Sequence, residues 1–111
     1  MMDEQEFRRK SEIAIDALKK SLIAAEDSAQ MEVEEQAGAV HVSFDDPAGR
    51  FVISPNAPAR QIWISALSTS FKLDWSQPAG DFVLEKTGEK LKPLVSRLIN
   101  EQLGREVVAL A

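Results

Sequence analysis

Gln61-Ile62-Trp63-Ile64-Ser65 alternates polar and apolar side chains with a period of two, the pattern of a strand with one dry face and one wet face. If Ile62 and Ile64 enter a core, then Gln61, Trp63 and Ser65 share the opposite face. That face meets water in any architecture that covers a sheet on one side only. An indole standing there, on a rigid strand between polar neighbours, has the composition of a docking residue. The alternative is an indole partly covered by a neighbouring loop or long side chain, since single exposed apolar residues are common.

The same period recurs on either side. Upstream, Met31-Glu32-Val33-Glu34 and Val40-His41-Val42-Ser43-Phe44 alternate, with Gln36-Ala37-Gly38 as the turn between them. Asp45-Asp46-Pro47-Ala48-Gly49 reverses the chain again. Phe51-Val52-Ile53 begins a third strand, which the proline-bearing Ser54-Pro55-Asn56-Ala57-Pro58 is expected to stop. The central strand reads from 60 to 66, and two more follow over 71–75 and 81–85.

The two ends of the chain change to helical spacing. Phe7, Ser11, Ala14, Leu18, Leu22 and Ala25 recur every three or four residues and would line one stripe of a helix over 3–25. Asp3 is the expected N-cap, and Glu6 three residues on completes a capping-box-like pair. Leu91, Leu94, Val95, Leu98, Ile99 and Leu103 form a second stripe, with Thr87 as N-cap, Pro93 in the first turn and Gly104 as the stop. Val107-Val108-Ala109-Leu110 is too apolar for a solvated tail and is expected to pack back on the helices. Helix, about six strands, helix, joined by short turns, predicts an α+β two-layer sandwich: an antiparallel sheet of about six strands with both helices on one face. No repeat, low-complexity segment or linker interrupts it, so residues 1–111 read as a single domain.

The composition narrows the chemistry. There is no cysteine, which removes disulfides, thiolate metal sites and a cysteine nucleophile. A formal net charge of −5 repels phosphate backbones and anionic lipid, so nucleic acid and membrane surfaces are not expected partners. Cations, or a basic patch on another protein, suit it better. The opening residues are acidic where a leader would be basic, and no apolar run approaches the roughly 20 residues that cross a bilayer. The expected address is the bacterial cytoplasm; a mature organellar protein would read the same way. No Gly-rich phosphate loop, nucleophile elbow or His-x-x-x-His pair is present, and the surface carboxylates lack the enclosure that would tune them for acid–base work.

Pro58-Ala59-Arg60-Gln61-Ile62-Trp63-Ile64-Ser65, following Ser54-Pro55-Asn56, resembles the signature of the frataxins and their bacterial relatives, the CyaY family. There a proline precedes Gln-(Ile/Val)-Trp-(Leu/Ile)-(Ala/Ser). The resemblance covers nearly the whole chain. Phe7 and its helix resemble the family's opening, and Ala39-Val40-His41-Val42-Ser43-Phe44 its second strand. Phe71-Lys72-Leu73-Asp74 resembles an aromatic-x-apolar-Asp strand, and Thr87-Gly88-Glu89-Lys90-Leu91 the entry to the last helix.

The resemblance implies an α+β sandwich, weak binding of ferrous or ferric iron, and regulation of the cysteine desulfurase and scaffold protein of iron–sulfur cluster assembly. It implies a ridge of carboxylates, matched here by Glu26, Asp27, Glu32 and Glu34, that meets both metal and desulfurase. It also implies a partner-facing surface that holds Trp63, with Gln61 beside it. A monomer is expected, and iron-driven oligomers and a weak ferrous oxidase activity lie within what the family permits. Hard cations take oxygen ligands, and an open row of carboxylates binds them without a tight cage. The competing reading of the same residues is a solvated acidic face, and the competing function is an interaction module that works through Trp63 with incidental iron binding.

The chain departs from the family pattern at the helix. Lys19 and Lys20 stand where bacterial members carry acids, and Ile23 and Ala24 replace further acids. Asp16 and Lys20, four apart, are expected to pair. Thr69-Ser70 replaces a glycine pair, and Phe82 a tryptophan. His41 is expected on the solvent face, where it matters as a ligand only if register sets it beside Glu32 or Glu34. Asp45 and Asp46 read as turn residues, Asp74 and Asp81 as strand-end or loop charges.

Overall fold

Asp3 opens the first helix as its spacing predicts: its carboxylate accepts the Glu6 backbone N–H at 2.7 Å, satisfying one of the orphan donors of a helix N-terminus. The computed structural model describes residues 2–111; Met1, counted in the expected domain, lies outside the described residues. Helix α1 spans Glu4–Ala24 and buries Phe7, Ser11, Ile15, Leu18 and Leu22. Ala14 is only half-buried; the larger Ile15 beside it takes the core position. A single helical turn that periodicity does not reveal, α2 (Glu26–Ala29), follows at once. Gln30, at φ 54°, then turns the chain into the sheet.

Seven strands follow: β1 (Met31–Gln36), β2 (Ala39–Asp45), β3 (Ala48–Asn56), β4 (Gln61–Ala66), β5 (Thr69–Ser76), β6 (Asp81–Leu84) and β7 (Glu89–Lys90). Their order in the sheet is their order in the chain, and every neighbouring pair is antiparallel. Alternate residues enter one core: Met31, Val40, Val42, Phe44, Phe51, Ile53, Ile62, Ile64, Leu73 and Phe82 from the sheet. They meet α1 and a second long helix, α3 (Leu91–Leu103), which contributes Leu91, Leu94, Val95, Leu98 and Ile99. This is the two-layer α+β sandwich that the sequence predicts.

Two of the local expectations change. Strand β3 does not stop at Ser54 but continues through Pro55, which pairs in register with Ile62. The β2–β3 pairing ends at Val40 and Ile53, so Pro55 has a ladder on one side only and its missing N–H is tolerated. Thr87 is not the cap of α3, because the two-residue β7 intervenes. Its hydroxyl instead accepts the Glu89 N–H at 3.2 Å and donates to the Glu89 carboxylate at 2.8 Å, while Lys90 takes the cap position without a side-chain bond. Glu89 also holds Arg97 of α3 at 2.7 Å. The hydrogen bond from that guanidinium lowers the Glu89 carboxyl below its ordinary range.

Gly104 ends α3 in the left-handed conformation, as expected. The apolar tail packs back on the helices, with Val108 buried. Asn100 holds it. Its Oδ1 accepts from the Val107 and Val108 N–H groups at 2.9 and 3.0 Å, and its Nδ2 donates to the Val108 carbonyl at 2.9 Å.

The β4–β5 connection is a two-residue turn in which Leu67 and Ser68 sit at φ 52° and 58°. Both central residues of a type I′ hairpin turn need positive φ, which suits Asn-Gly far better than Leu-Ser. Each non-glycine residue held there costs on the order of 1 kcal/mol. The double variant Leu67→Asn, Ser68→Gly is therefore expected to stabilise the fold by about 1–2 kcal/mol, read as a raised midpoint in urea with an unchanged slope.

Candidate functional site

The helices cover one side of the sheet, and the other carries Gln61, Trp63, Glu32 and Glu34, four of the residues singled out by sequence. Strand β4 buries Ile62, Ile64 and Ala66 and turns Gln61, Trp63 and Ser65 outward. Trp63 is 37% exposed, so the indole stands on the bare face, partly covered by a long side chain, that of Lys72. Its edge and its ring are both engaged. The indole N–H donates to the Gln61 side-chain oxygen at 2.9 Å, and the Gln61 amide donates in turn to Asp74 at 3.0 Å. The Lys72 ammonium lies over the ring, 4.8 Å from its centroid, within cation–π range.

Register explains the group. Gln61 faces Asp74 and Trp63 faces Lys72 across the β4–β5 ladder, so the four side chains form two adjacent cross-strand pairs. Hydrophobic spacing alone marks Asp74 as a strand-end charge and assigns Lys72 no role. Counting outward from the two-residue turn at Leu67-Ser68 sets Asp74 opposite Gln61, and that was the signal to follow.

The four candidate carboxylates lie on or beside β1, one margin of the sheet. Glu32 and Glu34 point outward on the same face as Trp63, about 7 Å apart along the strand, opposite Ser43 and His41. Three strand spacings, about 14 Å, separate β1 from β4. Glu26 and Asp27 sit on α2. Asp27 is exposed, whereas the Glu26 carboxylate accepts the Val33 backbone N–H at 2.8 Å. In this conformation Glu26 therefore ties α2 to the open edge of β1.

Register does bring His41 opposite Glu34, but the His41 Nδ1 lies 2.9 Å from the Arg50 guanidinium. The lysines that depart from the family pattern also have assigned partners. Lys20 pairs with Asp16 at 3.2 Å, as expected, and Lys19 reaches from α1 to Glu35 of β1 at 2.6 Å. The Glu35 hydrogen bond and charge raise the Lys19 ammonium above its ordinary value. Glu35 is thereby matched by a cation, and Glu32, Glu34 and Asp27 keep the acidic character of this margin.

These donors are hard oxygens, the chemistry that suits a hard cation held loosely. Among the described residues, no group of three or more His, Asp or Glu side chains is arranged to hold a metal ion. No described helix is long and apolar enough to cross a membrane.

An antiparallel meander with helices on one side only, a braced tryptophan on the bare face and carboxylates along one margin defines the class: an α–β-meander–α sandwich with one sheet face left open. A family model described as the frataxin-like domain matches residues 1–105, and the chain belongs to that family. It is 30% identical over 95 residues to a protein of Pseudomonas entomophila named iron-sulfur cluster assembly protein CyaY, covering 84% of this chain and 86% of that one. The protein of the same name from Azotobacter vinelandii is 30% identical over 77 residues, 69% of each chain. The solved frataxin of Psychromonas ingrahamii superposes with a TM-score of 0.73 over 99% of this chain and all of its own, at 16% identity, a likeness of fold.

Proposed function

We propose that this protein acts in bacterial, cytoplasmic iron–sulfur cluster assembly, as a regulator that docks on the cysteine desulfurase and scaffold protein and carries iron weakly on surface carboxylates. The observation that carries the reading is the shared face. Trp63, Glu32 and Glu34 all point away from the helices, within the span of one partner footprint. The names of the relatives supply the process. The indole, half-exposed on a rigid strand, supplies the anchor. Glu32 and Glu34 supply an acidic margin for a basic region of the partner, and, with Asp27 and Glu26, oxygen ligands for ferrous or ferric iron. Glu26 holds the Val33 amide through one carboxylate oxygen, which leaves only the other oxygen as its metal donor and favours loose binding.

Trp63→Ala is expected to weaken desulfurase binding by on the order of 2 kcal/mol or more, roughly 30-fold, while anaerobic ferrous iron titration stays unchanged. Glu32→Lys with Glu34→Lys is expected to lower both iron uptake and docking, and to flatten the salt dependence of docking. Wild-type iron uptake in the charge-reversed protein would show the metal assignment to be wrong. A second reading, an interaction module with incidental iron binding, is favoured by the engagement of Glu26 and Glu35 elsewhere. It predicts that charge reversal alters iron uptake with no effect on cluster assembly rates, while Trp63→Ala still abolishes them.

A further inference from the structure

The Gln61 amide lies between two groups of opposite hydrogen-bonding character. An indole N–H can only donate, and a carboxylate can only accept. Gln61 satisfies both, with its Oε1 2.9 Å from Trp63 Nε1 and its Nε2 3.0 Å from Asp74 Oδ1. Rotated by 180°, the same amide would aim its NH2 at the indole N–H and its oxygen at the carboxylate, putting two repulsions in place of two bonds. Asp74 therefore selects one of two amide orientations, and the selected one is the orientation that can hold the indole. The geometry points to Asp74 as a positioning residue for Trp63, acting through the Gln61 amide to set the indole on the bare sheet face.

The surroundings suit the role. Gln61 and Asp74 are both partly buried, so water competes less well for the relay than it would on an open surface. They face each other directly across the ladder, which fixes their separation through the backbone. Lys72 holds the flat of the ring and leaves the relay to set its edge. Trp75 is the internal comparison. Its N–H donates to Gln77 at 3.0 Å, but Gln77 is exposed and, among the described residues, makes no side-chain bond to a carboxylate. The docking consequence rests on the partner role given to Trp63 above; the positioning itself does not.

The test follows the two indole N–H signals in the 15N-labelled full chain, assigned with Trp75→Phe. Asp74→Leu keeps the branched shape, in a somewhat larger side chain, and removes the acceptor. It is expected to move the Trp63 signal and to speed exchange of its indole proton roughly 10-fold, with the Trp75 signal in place. Asp74→Asn, which keeps an oxygen acceptor for the Gln61 amide but can also turn its own NH2 toward it, is expected to move the Trp63 signal less than Asp74→Leu does. Asp74→Ala asks the same question should the leucine variant fail to fold. In a Gln61→Met background, Asp74→Leu should have no further effect on Trp63. A Trp63 signal that stays put in Asp74→Leu or Asp74→Ala overturns the proposal, as does an equal shift in the Gln61→Met background. Adding the desulfurase separates the two claims. A moved indole with roughly 10-fold weaker binding supports both, and a moved indole with wild-type affinity leaves the positioning standing and removes the docking role of Trp63.

Discussion

Phe82→Ala is expected to lower the unfolding free energy by about 3–5 kcal/mol, against a total of roughly 5–15 kcal/mol for a domain of this kind. Phe82 is fully buried and stands between the layers. Its ring meets Phe7 of α1 edge-on, with centroids 5.8 Å apart and planes at 89°. On the sheet side it meets Trp75, at 5.3 Å and 72°, and Lys10 of α1 caps Trp75 from above at 4.4 Å. Removing the phenyl ring takes away apolar burial and two aromatic contacts at once, at the point where α1 is fastened to β5 and β6. Urea denaturation followed by far-UV circular dichroism should show the loss as a lower midpoint. Thermal melting should fall by on the order of 20 °C. Phe82→Leu refills most of the space and is expected to cost about 1–2 kcal/mol. A cost below about 1 kcal/mol for the alanine variant would mean that α1 does not depend on this joint.

Asn100→Ala is expected to cost about 2–3 kcal/mol, from three hydrogen bonds worth roughly 1 kcal/mol each. The amide serves the tail from both ends, accepting twice and donating once, so no other side chain of similar size reproduces it. Asn100→Asp tests the donor alone: a carboxylate still accepts from Val107 and Val108 but confronts the Val108 carbonyl with an oxygen, and a loss of at least about 1 kcal/mol is expected. Amide hydrogen exchange locates the effect. Val107 and Val108 should exchange faster in both variants, and Leu110 should follow, because its N–H rests on Ser96 of the same helix at 2.9 Å. Global destabilisation with no preferential opening of the tail would contradict the clamp.

The architecture was legible because burial imposes periods. Ile62, Ile64 and Leu73 had to alternate with polar neighbours, and Phe7, Leu18 and Leu22 had to fall on one stripe, whatever their tertiary partners. The family resemblance agreed with that reading, and the match over residues 1–105 bears it out. Periodicity is silent on polar contacts between elements. Nothing in the spacing ties Lys19 to Glu35, Glu26 to the Val33 amide or Asn100 to the tail, because each contact depends on how elements pack and not on a repeat. A single turn such as α2 is too short to show a period at all. Asp74 is the intermediate case: its partner follows from turn length and parity, both of which the sequence contains. The exposed Trp63 was readable from alternation alone, and its bracing was not.

The meander also decides how copies of the molecule treat one another. With every strand beside its chain neighbour, only β1 and β7 are rims. The second is two residues long. The first carries three glutamates, and a fourth, Glu26, plugs one of its outward amides. Neither rim offers a stranger an unbroken row of donors and acceptors, the template on which fibres grow. Crowded together, these molecules are built to slide past one another without knitting into ribbons.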